Sequence, residues 1–247
     1  MHVLKISGND LHDEAYLASF AHTVAKQGHP TIIVHGGGKA ISDLQSQLHL
    51  ETKKVDGLRV TNASSLKATE MALSGHVNKL ITKAFLKAGI QSIGLSGVDG
   101  AILKCHKKKH PAADLGFVGE IYRVNTHLLH QLMSSGLTVI LSPISLGDDG
   151  HSYNVNADEA ATAVANALNA SLLSFVSNVP GVLENGRLHT TLTLNQSEQL
   201  IQNGIITDGM IPKIRAVQKA MQAGIAQTQI INLEGLQNGM GTRFLSA

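Results

Sequence analysis

The 247-residue sequence has no tryptophan and few other aromatics, 3 Tyr and 5 Phe. It therefore lacks the stacking platform that binds single-stranded nucleic acid. Its single cysteine, Cys105, cannot form an internal disulfide, which fits a reducing compartment. Neither sign of charge is in excess: the formal net charge of +2 is too small to imply a polyanionic partner. No apolar run approaches the roughly 20 residues that cross a bilayer. Residues 2–6 already read as a strand, leaving no room for a signal or transit peptide. These absences predict a cytoplasmic protein with neither a nucleic-acid nor a membrane partner. The 13 histidines nowhere fall into a ligand spacing, so no side-chain metal site is expected.

What is present is apolar patterning. Hydrophobic residues make up 43% of the chain, enough for a sizeable core, and 24 glycines against 5 prolines imply many tight turns. Short Val-, Ile- and Leu-rich runs at 3–6, 31–35, 92–95, 138–142, 172–177 and 229–231 read as strands. Helical patterns fill 13–26, 39–48, 62–88, 126–135, 157–168 and 210–223. This alternation predicts an α/β fold, a mostly parallel sheet covered by helices on both faces. Ligands in such sheets bind outside the carboxyl ends of the strands. No linker divides the chain, so one domain over 1–247 is expected, with a second lobe beginning near 170. Residues 104–110 read as a basic loop before a second β-type stretch at 117–124.

The polar cues fall at strand ends. Lys5-Ile-Ser-Gly8 closes the first strand, where a lysine reaches past the sheet edge and Gly8 lets backbone N–H groups approach an anion. His35-Gly-Gly-Gly-Lys39 joins a strand to a helix. It exposes N–H groups at a positive helix N-terminus, an anion site or else a tight packing turn. It matches neither the dinucleotide fingerprint nor the Walker A loop. In Asn154-Val-Asn-Ala-Asp158, Asn156 reads as a helix cap, which leaves Asn154 and Asp158 unexplained. An aspartate near two lysines would keep both protonated. Pro180-Gly181 marks a turn after another strand. Lys213 falls in the first turn of a helix started around Pro212, where the dipole disfavours a cation unless a polyphosphate is bound.

In this order, and together with Gly57-Leu-Arg-Val-Thr61, Leu95-Ser-Gly-Val-Asp-Gly100 and Gly204-Ile-Ile-Thr-Asp-Gly-Met-Ile-Pro-Lys213, these motifs resemble the amino acid kinase family. Within it they resemble the branch that phosphorylates the γ-carboxylate of N-acetyl-L-glutamate in arginine biosynthesis. The likeness runs from Lys5 to about Arg243. It implies an open αβα sandwich with an N-lobe (about 1–170) for the amino acid and a C-lobe (about 171–247) for ATP. It implies that Lys5 and Lys213 stabilise the transition state, that Asp158 organises both, and that Gly8 and Gly37 offer N–H groups to the transferring phosphoryl. Gly38, Arg59 and Asn154 are implied to bind the acylated amino acid, Arg59 at its α-carboxylate. Asn178, Val179, Pro180, Gly181, Val182 and Leu183, with Ile205, Ile206 and Thr207, are implied to line the nucleotide site. Mg²⁺ would come with ATP, held mainly by the phosphates.

Two departures stand out: Ser7 where the family usually has Gly, and Asn178 where it commonly has Asp. Ser7 leaves Gly8 intact, whereas Asn178 removes a negative charge near the nucleotide. The rival functions are a cousin kinase acting on α-aminoadipate borne by an acidic carrier protein, with residues 104–110 as docking surface, and a non-catalytic ligand sensor. Leu66, Met71, Leu73, Val77, Leu80, Ile81 and Phe85 give the 62–88 helix a broad apolar stripe. The resemblance implies that this helix forms a homodimer. In the family, arginine inhibition goes with an extra N-terminal helix. The first strand here begins near Met1, so an arginine-insensitive enzyme is expected.

Overall fold

The computed structural model describes residues 1–7, 11–28, 30–207 and 209–245. Gly8, named above as a phosphoryl contact, lies outside the described residues. The chain runs β1 (His2–Ile6), α1 (Glu14–Gln27), β2 (Thr31–His35), α2 (Gly38–Gln47) and the hairpin β3 (Lys53–Val55) and β4 (Leu58–Val60). Next comes α3 (Ala63–Glu70), which passes through a π-helical segment (Met71–Val77) into α4 (Asn78–Lys87). The middle holds β5 (Ser92–Ser96), β6 (Leu103–Lys107), β7 (Gly119–Val124), α5 (Thr126–Ser134), β8 (Thr138–Ser142), β9 (Ile144–Gly147), β10 (Ser152–Asn154) and α6 (Ala157–Ala167). After it come β11 (Leu172–Val176), the hairpin β12 (Leu183–Glu184) and β13 (Arg187–Leu188), then β14 (Thr191–Thr193) and α7 (Leu194–Gln202). The chain ends with α8 (Met210–Gln222), β15 (Thr228–Ile231), α9 (Leu233–Asn238) and β16 (Thr242–Leu245).

All six expected strands enter one eight-stranded sheet of order β14-β16-β15-β11-β1-β2-β8-β5. From β15 through β11, β1, β2 and β8 to β5 every neighbour is parallel, and β16 alone turns antiparallel against β15. Both faces are buried, as a parallel sheet requires. On one face Val3, Val34, Val139 and Phe175 pack against Ala160, Val164, Ile214 and Val217 of α6 and α8. On the other, Leu4, Ile33, Ile140 and Val176 pack against Phe20 of α1 and Ile81 and Phe85 of α4. Alternate residues of each strand thus serve opposite layers, giving the αβα sandwich.

A smaller sheet, β10-β9-β6-β7, flanks the main one and corrects the expectation of a basic loop. Residues 103–107 are strand, with Leu103 and Cys105 buried and His106 and Lys107 exposed. That alternation of period two is masked in the sequence by the charges at every outward position.

Candidate active site

Lys5, near the carboxyl end of β1, places Nζ 2.7 Å from Asp158 Oδ1. The geometry is that of a close charge contact and not a directed hydrogen bond, since Oδ1 is buried and accepts none among the described residues. The same ammonium donates to Ser7 Oγ at 3.4 Å. Asp158 lies in the first turn of α6, where the positive helix end favours a carboxylate. Asn156 caps that helix by accepting from the N–H groups of Asp158 and Glu159, as its sequence position predicted. Lys213, in the first turns of α8, donates from Nζ to Gly209 O at 2.9 Å. Burial pulls its pKa below the usual lysine range; the charge of Lys5 adds to that, and Asp158 opposes it. The two ammoniums and the carboxylate therefore share one electrostatic site, whose net charge is positive. Asp158 contacts Lys5, while it acts on Lys213 through space.

The glycine turn lies beside them because β1 and β2 are neighbours. Gly36 N–H donates to Ile6 O at 3.1 Å, continuing the ladder past the strand ends. Gly37 precedes α2 in extended backbone, and α2 has no side-chain N-cap. Among the described residues the N–H groups of Gly37 and Gly38 have no partner, which leaves free donors at the start of α2. A Cβ on Gly37 would stand 2.5 Å from Leu73 Cδ2 in the π segment, whereas one on Gly38 would meet nothing within 4 Å. So the glycine at 37 also answers to packing, and the one at 38 does not. Behind the turn His35 is fully buried, with Nδ1 2.9 Å from Gly36 O.

Arg59 of β4 reaches α2, donating to Gln45 Oε1 at 2.5 Å and to Ser42 Oγ at 2.9 Å. Burial lowers its pKa, and no carboxylate pairs with it among the described residues. A part-buried guanidinium with only neutral partners is a ready carboxylate site. Asn154, at the end of β10, donates from Nδ2 to Thr61 Oγ1 at 3.2 Å, and Thr61 donates to Arg59 O at 2.9 Å. That chain of hydrogen bonds links two of the three residues expected at the amino acid.

Of the nucleotide residues, Asn178 and Thr207 are exposed, Val179, Pro180 and Ile205 are half-buried, and Leu183 is 42% exposed. Val182 and Ile206 are instead core residues, at 1% and 3% exposure. Val182 also spends its N–H on Thr242 Oγ1 and its carbonyl on His189 N–H. Their side chains anchor their segments from below. Gly181 has φ +150, and a Cβ there would meet Thr242 Oγ1 at 2.4 Å.

The charges of residues 104–110 are largely neutralised within the chain. Lys104 pairs with Asp148 at 3.1 Å, Lys107 with Asp114 at 2.8 Å, Lys108 with Glu159 at 2.7 Å, and His110 lies 3.1 Å from Asp56. Cys105 is buried, and desolvation pushes its thiol up to about 12. Among the described residues no cluster of His, Cys, Asp or Glu could cage a metal, and Asp158 is committed to Lys5. These residues do not fit a protein-held cation. Sequence reasoning missed His35, Asn78, Ser42, Gln45 and Thr61 as supports of the site. One signal existed: Gly38, Ser42 and Gln45 recur at i, i+4 and i+7, a single face of α2.

Residues 1–232 match the profile described as the amino acid kinase family. The chain is 46% identical to the acetylglutamate kinase of Roseiflexus sp. (strain RS-1), over 99% of its own length and 93% of the relative's. Among solved structures it is similar to smu.665 from Streptococcus mutans UA159, with a TM-score of 0.82, 30% identity, and 99% and 98% of the two chains covered. It also shares its fold with the carbamate kinase of Giardia lamblia bound to AMP-PNP, at a TM-score of 0.72, 15% identity, and coverage of 100% and 98%.

Proposed function

The chain belongs to the amino acid kinase family, and from that premise we propose that it transfers the γ-phosphoryl group of ATP to the γ-carboxylate of N-acetyl-L-glutamate, forming N-acetyl-L-glutamyl 5-phosphate. The observation that carries this reading is the ion pair of Lys5 with Asp158 beside Lys213, next to the open N–H groups of the glycine turn. Phosphoryl transfer asks a protein mainly for positioning and charge neutralisation. A carboxylate is already ionised at neutral pH, so it needs no general base. One of its oxygens attacks the γ-phosphorus, the bond to the β,γ-bridging oxygen breaks, and ADP leaves with the electron pair. Lys5 and Lys213 offset the charge that builds on the transferring oxygens, and Asp158 holds Lys5 in place. The Gly37 N–H faces the phosphoryl, and Arg59 grips the α-carboxylate of the amino acid with Gly38 and Asn154 alongside. ATP lies over Asn178, Val179, Pro180, Gly181, Leu183, Ile205 and Thr207, with Mg²⁺ carried on its phosphates.

The internal pairing of Lys104, Lys107 and Lys108 reduces the basic surface that an acidic carrier protein would need. Assays of phosphoryl transfer to N-acetylglutamate, N-succinylglutamate, free glutamate and carrier-linked aminoadipate test the reading. Turnover greatest with N-acetylglutamate is expected, and preference for the carrier-linked acceptor would overturn it.

The same reading includes a homodimer through the helix spanning α3, the π segment and α4. Its support is that the helix leaves large apolar side chains in solvent: Met71 of the stripe is 51% and Leu86 48% exposed. Light scattering giving the mass of one chain would sink the dimer. No helix among the described residues is long and apolar enough to cross a membrane.

A further inference from the structure

Gln45 is fully buried in α2, yet only one end of its amide is used. Oε1 accepts from Arg59 Nη1 at 2.5 Å, while Nε2 is buried and has no hydrogen-bond partner among the described residues. The orientation follows from the partner, since a guanidinium offers only donors and must face the amide oxygen. An orphaned interior donor is destabilising and rare in native structures. A methionine of similar length would fill the same space without it, so packing alone does not account for glutamine here.

What glutamine supplies is an oriented but uncharged acceptor. Arg59 comes from β4, a three-residue strand of a small hairpin that pairs only with β3. Left to that hairpin, a long side chain would sample many rotamers. Ser42 Oγ and Gln45 Oε1 instead hold both terminal nitrogens from successive turns of α2. The N-terminus of that helix is the glycine turn. A glutamate at 45 would hold the guanidinium equally well but cancel its charge. A glutamine fixes the direction and leaves the positive charge for a ligand.

We infer that Gln45, assisted by Ser42, is a positioning residue that locks the Arg59 guanidinium onto α2, so that one rigid helix sets the distance between the carboxylate grip and the glycine turn. The inference rests on the reading that Arg59 meets the α-carboxylate of the amino acid. It makes α2 the ruler of the acceptor. A substrate whose two carboxylates are one methylene closer or farther apart fits the grip or the turn, but not both at once.

The test is steady-state kinetics of the full chain with N-acetyl-L-glutamate and ATP, together with thermal unfolding. Gln45→Met is compared alone and in an Arg59→Ala background. The expected result is a rise of about tenfold in KM for the amino acid, the order set by one charge-assisted hydrogen bond. Values of kcat and of KM for ATP stay near wild type, and Tm is unchanged or higher because the orphaned donor is gone. In the Arg59→Ala background the Gln45 substitution adds nothing further, since its effect passes through the missing guanidinium. Gln45→Glu, which keeps the acceptor oxygen, folds and raises the same KM by engaging Arg59 as an ion pair. A Gln45→Met protein with lowered Tm and unchanged KM would overturn the inference, and so would an undiminished effect in the Arg59→Ala background. If Arg59→Ala alone left the amino-acid KM unchanged, the assignment of Arg59 itself would fall, a result distinct from failure at Gln45.

Discussion

Asn78 Nδ2 lies 3.2 Å from His35 Nε2, and the same nitrogen reaches Leu95 O at 3.1 Å and Ile140 O at 3.0 Å. One amide at the exit of the π segment thereby ties together the ends of β2 and β5 and the middle of β8. Gly94 makes room for it, since a Cβ there would fall 2.2 Å from Asn78 Oδ1. An amide nitrogen only donates, so Nε2 of His35 accepts and its proton resides on Nδ1, facing Gly36 O. The imidazole is held neutral immediately behind the glycine turn.

That neutrality makes stability pH-dependent. Burial lowers the His35 pKa from 6.5 to about 4. Between those values the unfolded chain binds a proton that the folded chain does not, so stability falls as pH drops through the window. The contribution is on the order of 3 kcal/mol at full effect. Tm measured from pH 7 to 4 should fall less steeply in His35→Asn than in wild type. Parallel curves would show that another group governs acid sensitivity.

Lys5→Met and Lys213→Met should each lower kcat about 10²- to 10³-fold, the order found for removing one donor to transition-state charge. Among the described residues Lys213 bonds only the carbonyl of Gly209, which precedes α8, so its loss should leave Tm nearly unchanged. Lys5→Met strands Asp158 Oδ1, and a measurable drop in Tm should accompany it. Turnover near wild type in either variant would remove that lysine from the chemistry.

Asp158→Asn keeps shape and removes charge. Lys5 would then be part-buried without a counter-ion and Lys213 would lose its one opposing field, so kcat should fall with little change in far-UV circular dichroism. Retention of most activity would reduce Asp158 to a neighbour of the Asn156 cap.

The two glycines should separate on mutation. Gly37→Ala drives a methyl into Leu73 inside a packed cluster and should cost roughly 1–3 kcal/mol in denaturant unfolding. Gly38→Ala meets nothing and begins a helix, so stability should hold or rise by up to about 1 kcal/mol. Equal losses in both would mean that the packing on Leu73 is not what distinguishes them.

The sandwich was legible because its strands are dense in Val, Ile and Leu and its helices carry clear apolar stripes. Less legible were β14 and β16, short strands whose Thr191, Thr193 and Arg243 look like loop. Helix α7 had a readable start, the capping box of Thr193 and Gln196, which its polar body obscured. The π segment left no trace in residue spacing, since Met71, Leu73 and Val77 suit an α-helix equally well. Within the site, Lys5, Asp158 and Lys213 could be named from position at strand and helix ends, and the structure brings them together. Val182 and Ile206 could not be separated from their neighbours in the sequence, because apolar residues in a motif face ligand or core according to packing. The shared face of Gly38, Ser42 and Gln45 hints at the site, but nothing in the sequence says that Gln45 holds Arg59 of another segment.

The order of strands also governs how the molecule can be made. β1 lies between β2 and β11, and Met1, just before it, bonds Ser171, 170 positions away. During synthesis β2 can pair with β1, and β8 and β5 can add beyond β2, before β11 has left the ribosome. Until then, β1 presents an unpaired apolar edge, open to misassociation with other nascent chains. Lys5 belongs to the earliest strand and Lys213 to one of the last helices, so no fragment from either end can assemble both charges. The site that joins them forms only when almost all of the chain exists.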